Sequence, residues 1–317
     1  MKKTLGIYIS NYNLIGGVER FVENFCKRMS KHYHITLLFD WVENNQLLFE
    51  ISDYCDVVNI DKNKVYSFDY FVNSTAWGYS PFKNIEANKV VQVVHADYRH
   101  VISNWNFKYI KDPKTTHHVC VGEIVKEGFE EATSYKCDAI IYNLLDNKIK
   151  VPKKKKNKTL NLITCSRLSG EKGFARMLEL SSQLDKKNID YIWNVFGNTE
   201  HQFAKKIVAS FKDNPKVIFR GVTREAFKEI NQADYLVQLS DTEGFAYSIY
   251  EAMQVKTPCL ITPFASGKEQ IKHGVNGYIL PMNMKGINFE EILNKILIVP
   301  DFEELGKEQD WINLLEQ

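Results

Sequence analysis

The sequence predicts an α/β protein built from two doubly wound domains that face a central cleft. Three observations predict it. The chain is 317 residues long, about twice the usual size of a single domain. Short apolar runs alternate with helix-period stretches, which is the pattern of a mostly parallel sheet. That alternation stops at a proline- and lysine-bearing segment, Asn147 to Thr159 (NKIKVPKKKKNKT), and then restarts. The expected division is residues 1–148, a linker at 149–158, and residues 159–317.

In chain order, Leu5 to Ser10 reads as a buried strand leading through a glycine turn into a helix. That helix carries Val18, Phe21, Val22, Phe25 and Met29 on one face. Further strands are expected at His34 to Phe39, Val57 to Ile60, Tyr70 to Val72, Val90 to Val94, Val119 to Val121 and Ala139 to Tyr142. In the second half, strands are expected at Leu160 to Cys165, Tyr191 to Phe196, Val217 to Phe219, Tyr235 to Leu239 and Cys259 to Ile261. Helices between them are expected at Phe174 to Leu184, His201 to Phe211, Arg224 to Asn231 and Ala246 to Gln254. Ligands of such sheets sit at the carboxyl ends of the strands, so the chemistry is expected there.

Composition narrows the class of function. Forty-one Lys and Arg stand against 39 Asp and Glu, a balance that argues against a chain built to coat nucleic acid. Hydrophobic residues at 44% and aromatics at 13% suffice for two cores. The six cysteines, Cys26, Cys55, Cys120, Cys137, Cys165 and Cys259, form no CxxC pair, so neither a zinc site nor a disulfide framework is expected. MKKTLGIYIS has too short an apolar stretch for a signal peptide, and no stretch reaches eighteen apolar residues. A cytoplasmic protein is expected, with peripheral contact at the membrane face left open. The Lys153 to Lys156 run reads as a solvated linker; the sharper alternative is a patch for anionic lipid or nucleic acid.

The most informative segment is Glu243-Gly-Phe-Ala-Tyr-Ser-Ile-Tyr-Glu251. Eight positions of continuous helix would turn the two carboxylates about 80° apart. Gly244 is expected to keep Glu243 in the preceding loop, so its side chain can fold back across the helix start. Amides around Ala246 to Ser248 would meet an anion such as a phosphate. Upstream, Ser166-Arg-Leu-Ser-Gly-Glu-Lys-Gly173 follows a strand and offers the Arg167 fork of donors and the compact charge of Lys172.

Together these segments resemble the Glu-x7-Glu and Arg-Leu-x-x-x-Lys-Gly motifs of the retaining glycosyltransferases with the two-Rossmann GT-B fold, particularly glycosyltransferase family 4. Gly16 and Gly17 are similar to that family's glycine pair, where missing side chains let backbone approach the ligand. The segment lacks GxGxxG, which sets aside a nicotinamide dehydrogenase. His95, ending the strand Val90 to Val94, matches the histidine that the family places near the donor sugar. Gly197 resembles a glycine near the nucleotide, and Gly221 with Val222 resembles the turn that reads the base. PFASGKEQIKHGVNGYIL is similar to the family's Gly-Gly-x-x-Glu and Gly-x-x-Gly segments through Glu269 and Gly277, with Ser266 in place of a glycine. Ala246 likewise stands where many members have glycine.

The resemblance implies transfer of a hexosyl or N-acetylhexosaminyl group from a nucleotide diphosphate sugar, a UDP-sugar first, with retention by a front-face route. Lys172, Arg167 and the helix amides would stabilise the leaving diphosphate, Glu243 would position the sugar, and Glu251 would hold the ribose. His95 would complete the sugar pocket, with Phe245, Ala246, Tyr247 and Ser248 as further donor contacts. Asp241-Thr-Glu243 superficially looks like a metal motif, yet the resemblance implies protein cations in that role and no metal or other cofactor. The implied acceptor is a glycan, a lipid-linked oligosaccharide or a glycoprotein, as in polysaccharide biosynthesis. The alternative from another class is a catalytically silent nucleotide-sugar-binding subunit that scaffolds or regulates a partner transferase.

Overall fold

The computed structural model describes residues 2–12, 16–42, 45–75, 82–105, 107–145 and 159–317. The chain divides into two compact units: Met1–Asn147 with Glu304–Gln317, and Lys148–Glu303. The predicted linker 149–158, with Lys153 to Lys156, lies outside the described residues.

The first unit is wound from β1 (Thr4–Asn11), α1 (Gly17–Met29), β2 (His34–Trp41), α2 (Asn45–Ile51), β3 (Asp56–Asn59), β4 (Tyr66–Asn73), β5 (Ile85–Val94), α3 (Tyr98–Trp105), β6 (His117–Cys120), α4 (Glu123–Thr133) and β7 (Ala139–Ile140). Its strands lie in the order β3-β2-β1-β4-β5-β6-β7, and the recorded pairs are parallel. The chain winds outward from β1 to β3 and then crosses to β4 on the other side of β1, so the order reverses between β1 and β4. The α1 face expected from periodicity is buried at Phe21, Val22, Phe25 and Met29. Strand β4 begins at Tyr66, four residues before the apolar run at Tyr70, because pairing with Ile85 to Ala87 of β5 continues through its half-exposed start.

The second unit contains β8 (Leu160–Cys165), a 3₁₀ turn (Gly170–Lys172), α5 (Phe174–Lys186), β9 (Tyr191–Phe196), α6 (Gln202–Ser210), β10 (Val217–Gly221) and α7 (Ala226–Gln232). It continues through β11 (Tyr235–Gln238), α8 (Tyr247–Gln254), β12 (Cys259–Ile261), α9 (Gly267–Gln270), β13 (Gly277–Ile279) and α10 (Phe289–Asn294). The order β10-β9-β8-β11-β12-β13 reverses between β8 and β11. Apolar clusters cover both faces, one around Trp193 and Leu260 and the other around Leu236 and Ile249, which is why these strands are apolar rather than alternating. Strand β13 was not predicted. A Cβ on Gly277 would stand 2.3 Å from the Cys259 carbonyl oxygen, so the glycine that weakens the strand signal is what lets β13 lie against β12.

The sequence places everything after residue 159 in the second domain, and the structure corrects this at the C-terminus. Residues 304–317, with α11 (Glu308–Glu316), return to the first unit. Trp311, with no exposed surface, packs 5.0 Å from Phe25 and 6.1 Å from Phe21, centroid to centroid. Arg28 of α1 donates to the Leu145 carbonyl at 2.7 Å, to Glu304 at 2.9 Å and to Glu308. An apolar stripe on a short helix records that it will be buried, not by which domain. Trp311→Ala is expected to cost the first unit about 3–5 kcal/mol, read as an early unfolding step in calorimetry. A single unchanged transition would contradict that packing role.

Among the described residues no helix is long and apolar enough to cross a membrane. None of the six cysteines forms a disulfide.

Candidate active site

The crevice where a doubly wound sheet reverses its strand order is where two consecutive loops part and leave room for a ligand. In the second unit those loops follow β8 and β11, and they bring Lys172 and Glu243 together. Lys172 Nζ donates to both Glu243 oxygens, at 2.7 and 2.8 Å, with both side chains nearly buried at 10% and 12% exposure. Gly173 makes this possible. Its φ of +73° is left-handed, and a Cβ there would fall 1.8 Å from the Leu239 carbonyl oxygen, so only glycine lets the 3₁₀ turn abut the end of β11. The Asp241 amide then donates to the Glu171 carbonyl at 2.7 Å, and Arg176 bonds both Leu239 O and Asp241.

Glu243 stays in the loop, as expected from Gly244, because α8 begins at Tyr247. Its Oε1 also accepts from Gln238 Nε2 and Ser240 Oγ, each at 2.7 Å. Ala246 is the N-cap of α8 and has no side chain that could itself cap the helix, whose start carries the positive end of the helix dipole. Its φ of −85° suits any residue, so alanine here costs no backbone strain. Ser266, the other departure from the family pattern, is buried and donates to the Glu243 carbonyl at 2.9 Å. The hydroxyl ties the loop from the far side, where a glycine would supply nothing.

The remaining candidates are placed as follows. Arg167 is 64% exposed, and its guanidinium lies 3.5 Å from the Glu171 carboxylate. Burial raises the Glu171 pKa, but the Ser169 hydroxyl, a backbone amide, Lys172 and Arg167 together leave it below its ordinary value. Phe245 and Tyr247 are buried, and Phe245 packs edge-on to Tyr247 at 5.7 Å and to Tyr250 at 4.9 Å. Ser248 points its hydroxyl at Gln238 Oε1, 3.4 Å away. Glu251 is buried on α8; burial first, and the charge of Glu251 second, push the Cys165 thiol well above its usual range. Gly197 has a packing reason of its own, since a Cβ would meet the Ser166 carbonyl oxygen at 2.2 Å. Gly221 is left-handed at φ +76° and carries the half-exposed Val222.

In the first unit, Gly16 and Gly17 form the start of α1, with Gly16 as an N-cap that lacks a side-chain bond. No Cβ contact explains Gly17, whereas a Cβ on Gly16 would press on the Glu19 carboxylate. His95 follows β5, edge-on to Phe21 at 4.8 Å. Its Nε2 is sealed from solvent without a hydrogen-bond partner among the described residues. Burial pushes its pKa down to about 3, so the imidazole is neutral at physiological pH. An unfolded histidine titrates near 6.5, so in acid the unfolded chain takes the proton first. Stability is therefore expected to fall as pH drops from about 6.5 towards 3, and to fall less steeply in His95→Asn. Equal slopes in chemical denaturation would contradict the buried neutral imidazole.

Sequence reasoning missed Gln238, Ser240 and Arg176, which hold the loop carrying Glu243. The available signal was Gln238 itself, a polar side chain ending the otherwise apolar strand Tyr-Leu-Val-Gln. Among the described residues no cluster of three or more His, Cys, Asp or Glu is arranged to hold a metal.

Several known proteins are similar to this chain. The UDP-N-acetylglucosamine–peptide N-acetylglucosaminyltransferase GtfA subunit of Streptococcus agalactiae is 24% identical over 231 residues, which is 66% of this chain; the chain spans only 44% of that relative's length. Among solved structures, Anabaena HepE in complex with UDP-glucose superposes with a TM-score of 0.70 at 14% identity, covering 92% of this chain and 90% of that one. A variant of S. aureus TarM, in complex with fondaparinux, alpha-GlcNAc-glycerol and UDP, gives 0.71 at 12% identity over 99% of this chain and all of that one. These likenesses show the fold, two Rossmann-like parallel-sheet domains. The sequence profile described as Glycosyl transferases group 1 matches residues 146–311. That match takes in β8 to β13, the loop bearing Lys172 and the loop bearing Glu243, more than half of the sequence, and so the chain belongs to the group 1 glycosyl transferases.

Proposed function

We propose that the protein transfers a hexosyl or N-acetylhexosaminyl group from a nucleoside diphosphate sugar, UDP-linked in the first instance, to a glycan, lipid-linked or protein-linked acceptor. Configuration is retained and no metal takes part. The observation that carries this reading is the Lys172–Glu243 pair at the reversal between β8 and β11, in the loop that leads into α8. A cation and helix amides suit a diphosphate, and the carboxylate suits sugar hydroxyls and the cationic character of the breaking glycosidic bond. UDP or UDP-glucose in the HepE and TarM structures supports the choice of nucleotide.

In the reaction the bond from the anomeric carbon to the β-phosphate oxygen breaks, and the acceptor oxygen forms its bond on the same face. The acceptor proton passes to the departing phosphate, whose charge Lys172, Arg167 and the α8 amides stabilise. The family likeness gives His95, Gly16 and Gly17 a share in the sugar and phosphate contacts; their own unit supplies a neutral imidazole and the glycine pair at the start of α1. The metal-free reading is supported by Asp241 and Glu243, whose carboxylates are engaged by Arg176 and Lys172.

A panel of UDP- and GDP-sugars, assayed for nucleotide release with candidate acceptors and with EDTA, tests the proposal. Expected is release from one UDP-sugar, undiminished by EDTA, with the product anomer matching the donor by proton NMR. An inverted anomer or loss of turnover on chelation would overturn retention or metal independence respectively. Tight nucleotide-sugar binding without transfer would favour the silent subunit. Glu251→Ala is expected to weaken UDP binding by roughly ten- to hundredfold, with kcat less affected; wild-type affinity by calorimetry would remove Glu251 from the ribose.

A further inference from the structure

We propose that Gln238 is a positioning residue of the transfer reaction, fixing through its side-chain amide which oxygen of Glu243 is turned towards the donor. The inference rests on the transferase reading above and goes beyond it. Gln238 ends β11, a central strand flanked by β8 and β12, and is 3% exposed. A buried amide there is costly unless its groups are bonded. Its Nε2 donates to Glu243 Oε1 at 2.7 Å and to Ser240 Oγ at 2.8 Å, while Oε1 faces the Ser248 hydroxyl at 3.4 Å. This sets the amide one way round, because the reverse would oppose two oxygens at the carboxylate.

The consequence lies in how the two oxygens of Glu243 are used. Oε1 accepts from Gln238, Ser240 and Lys172, whereas Oε2 accepts only from Lys172 among the described residues. When Lys172 turns to the diphosphate, Oε1 stays held by Gln238 and Ser240. Oε2 is the oxygen released, and it is the one offered to the sugar. Gln238 also joins Glu243 to Ser248 in the first turn of α8, so sugar and phosphate contacts share one hinge-free support.

Gln238→Met keeps length and volume and removes both polar ends. With the UDP-sugar that the wild type turns over, kcat is expected to fall by on the order of ten- to hundredfold, the value of a hydrogen bond to a charged group, while UDP affinity and melting temperature stay near wild type. In a Glu243→Gln background, where no carboxylate is left to position, Gln238→Met is expected to have little further effect on kcat. An unchanged kcat, or the same loss in both backgrounds, would overturn the proposal. Should Gln238→Met fold poorly, Gln238→Glu keeps the shape but replaces the amide donor to Glu243 with an oxygen, and an unchanged kcat there would also overturn the proposal. A wild type that releases nucleotide from no nucleoside diphosphate sugar overturns the transferase reading and this role together. A wild type that turns over beside an equally active Gln238→Met overturns the role of Gln238 alone.

Discussion

Lys172→Ala is expected to lower kcat for sugar transfer by about 10²–10³, the usual result of removing one preorganised donor to developing charge. Donor affinity should change much less, because the phosphate oxygen that Lys172 meets gains its charge as the glycosidic bond breaks. The ion pair with Glu243 adds a second consequence. Without the ammonium, the nearly buried carboxylate keeps Gln238 and Ser240 as its donors among the described residues, so thermal stability should also drop modestly. Steady-state kinetics with isothermal titration of UDP separates the two effects. An unchanged kcat with weakened UDP binding would assign Lys172 to ground-state binding and reject its place in the transition state.

Gly173→Ala is expected to be as damaging by a different route. A left-handed backbone costs a residue with a Cβ about 1–2 kcal/mol. Here the new carbon would also stand 1.8 Å from the Leu239 carbonyl oxygen, a backbone atom at the end of a central strand that cannot turn aside. A total loss above about 3 kcal/mol is expected for the second unit, a fall in melting temperature on the order of 10 °C. To relieve the overlap the 3₁₀ turn must withdraw from β11, and Lys172 withdraws with it. UDP binding and turnover should therefore fall even at temperatures where the variant is folded. A variant with wild-type melting and wild-type turnover would show that the turn has another way to lie against β11.

The sheets were legible because buried parallel strands leave continuous apolar runs, and β8 and β9 begin and end where those runs do. Strand β13 was not legible, since three residues beginning with glycine carry almost no periodicity. Lys172 and Glu243 could each be singled out by motif, but their contact spans 71 positions and depends on a reversal of strand order that no local pattern encodes. Arg167 was expected to act with Lys172 on a diphosphate, from the donors the two side chains offer. The Arg167 guanidinium lies near Glu171 and largely in solvent, a placement that no local pattern encodes. Ser266 and Ala246 read as lost glycines; neither position has the left-handed φ that would demand one, and the serine hydroxyl gained a partner.

Trp311 is synthesised after the whole of the second unit, yet it lies against α1, which is synthesised before that unit. While the ribosome is still translating, the polypeptide of the first unit is exposed with Phe21 and Phe25 uncovered on one side of α1. The second unit, whose residues are all in hand by 303, can close before the first does. Completion therefore runs against the usual order in which amino-terminal domains fold first. A released chain that ends at residue 303 should hold one finished lobe and one whose α1 face is still uncovered.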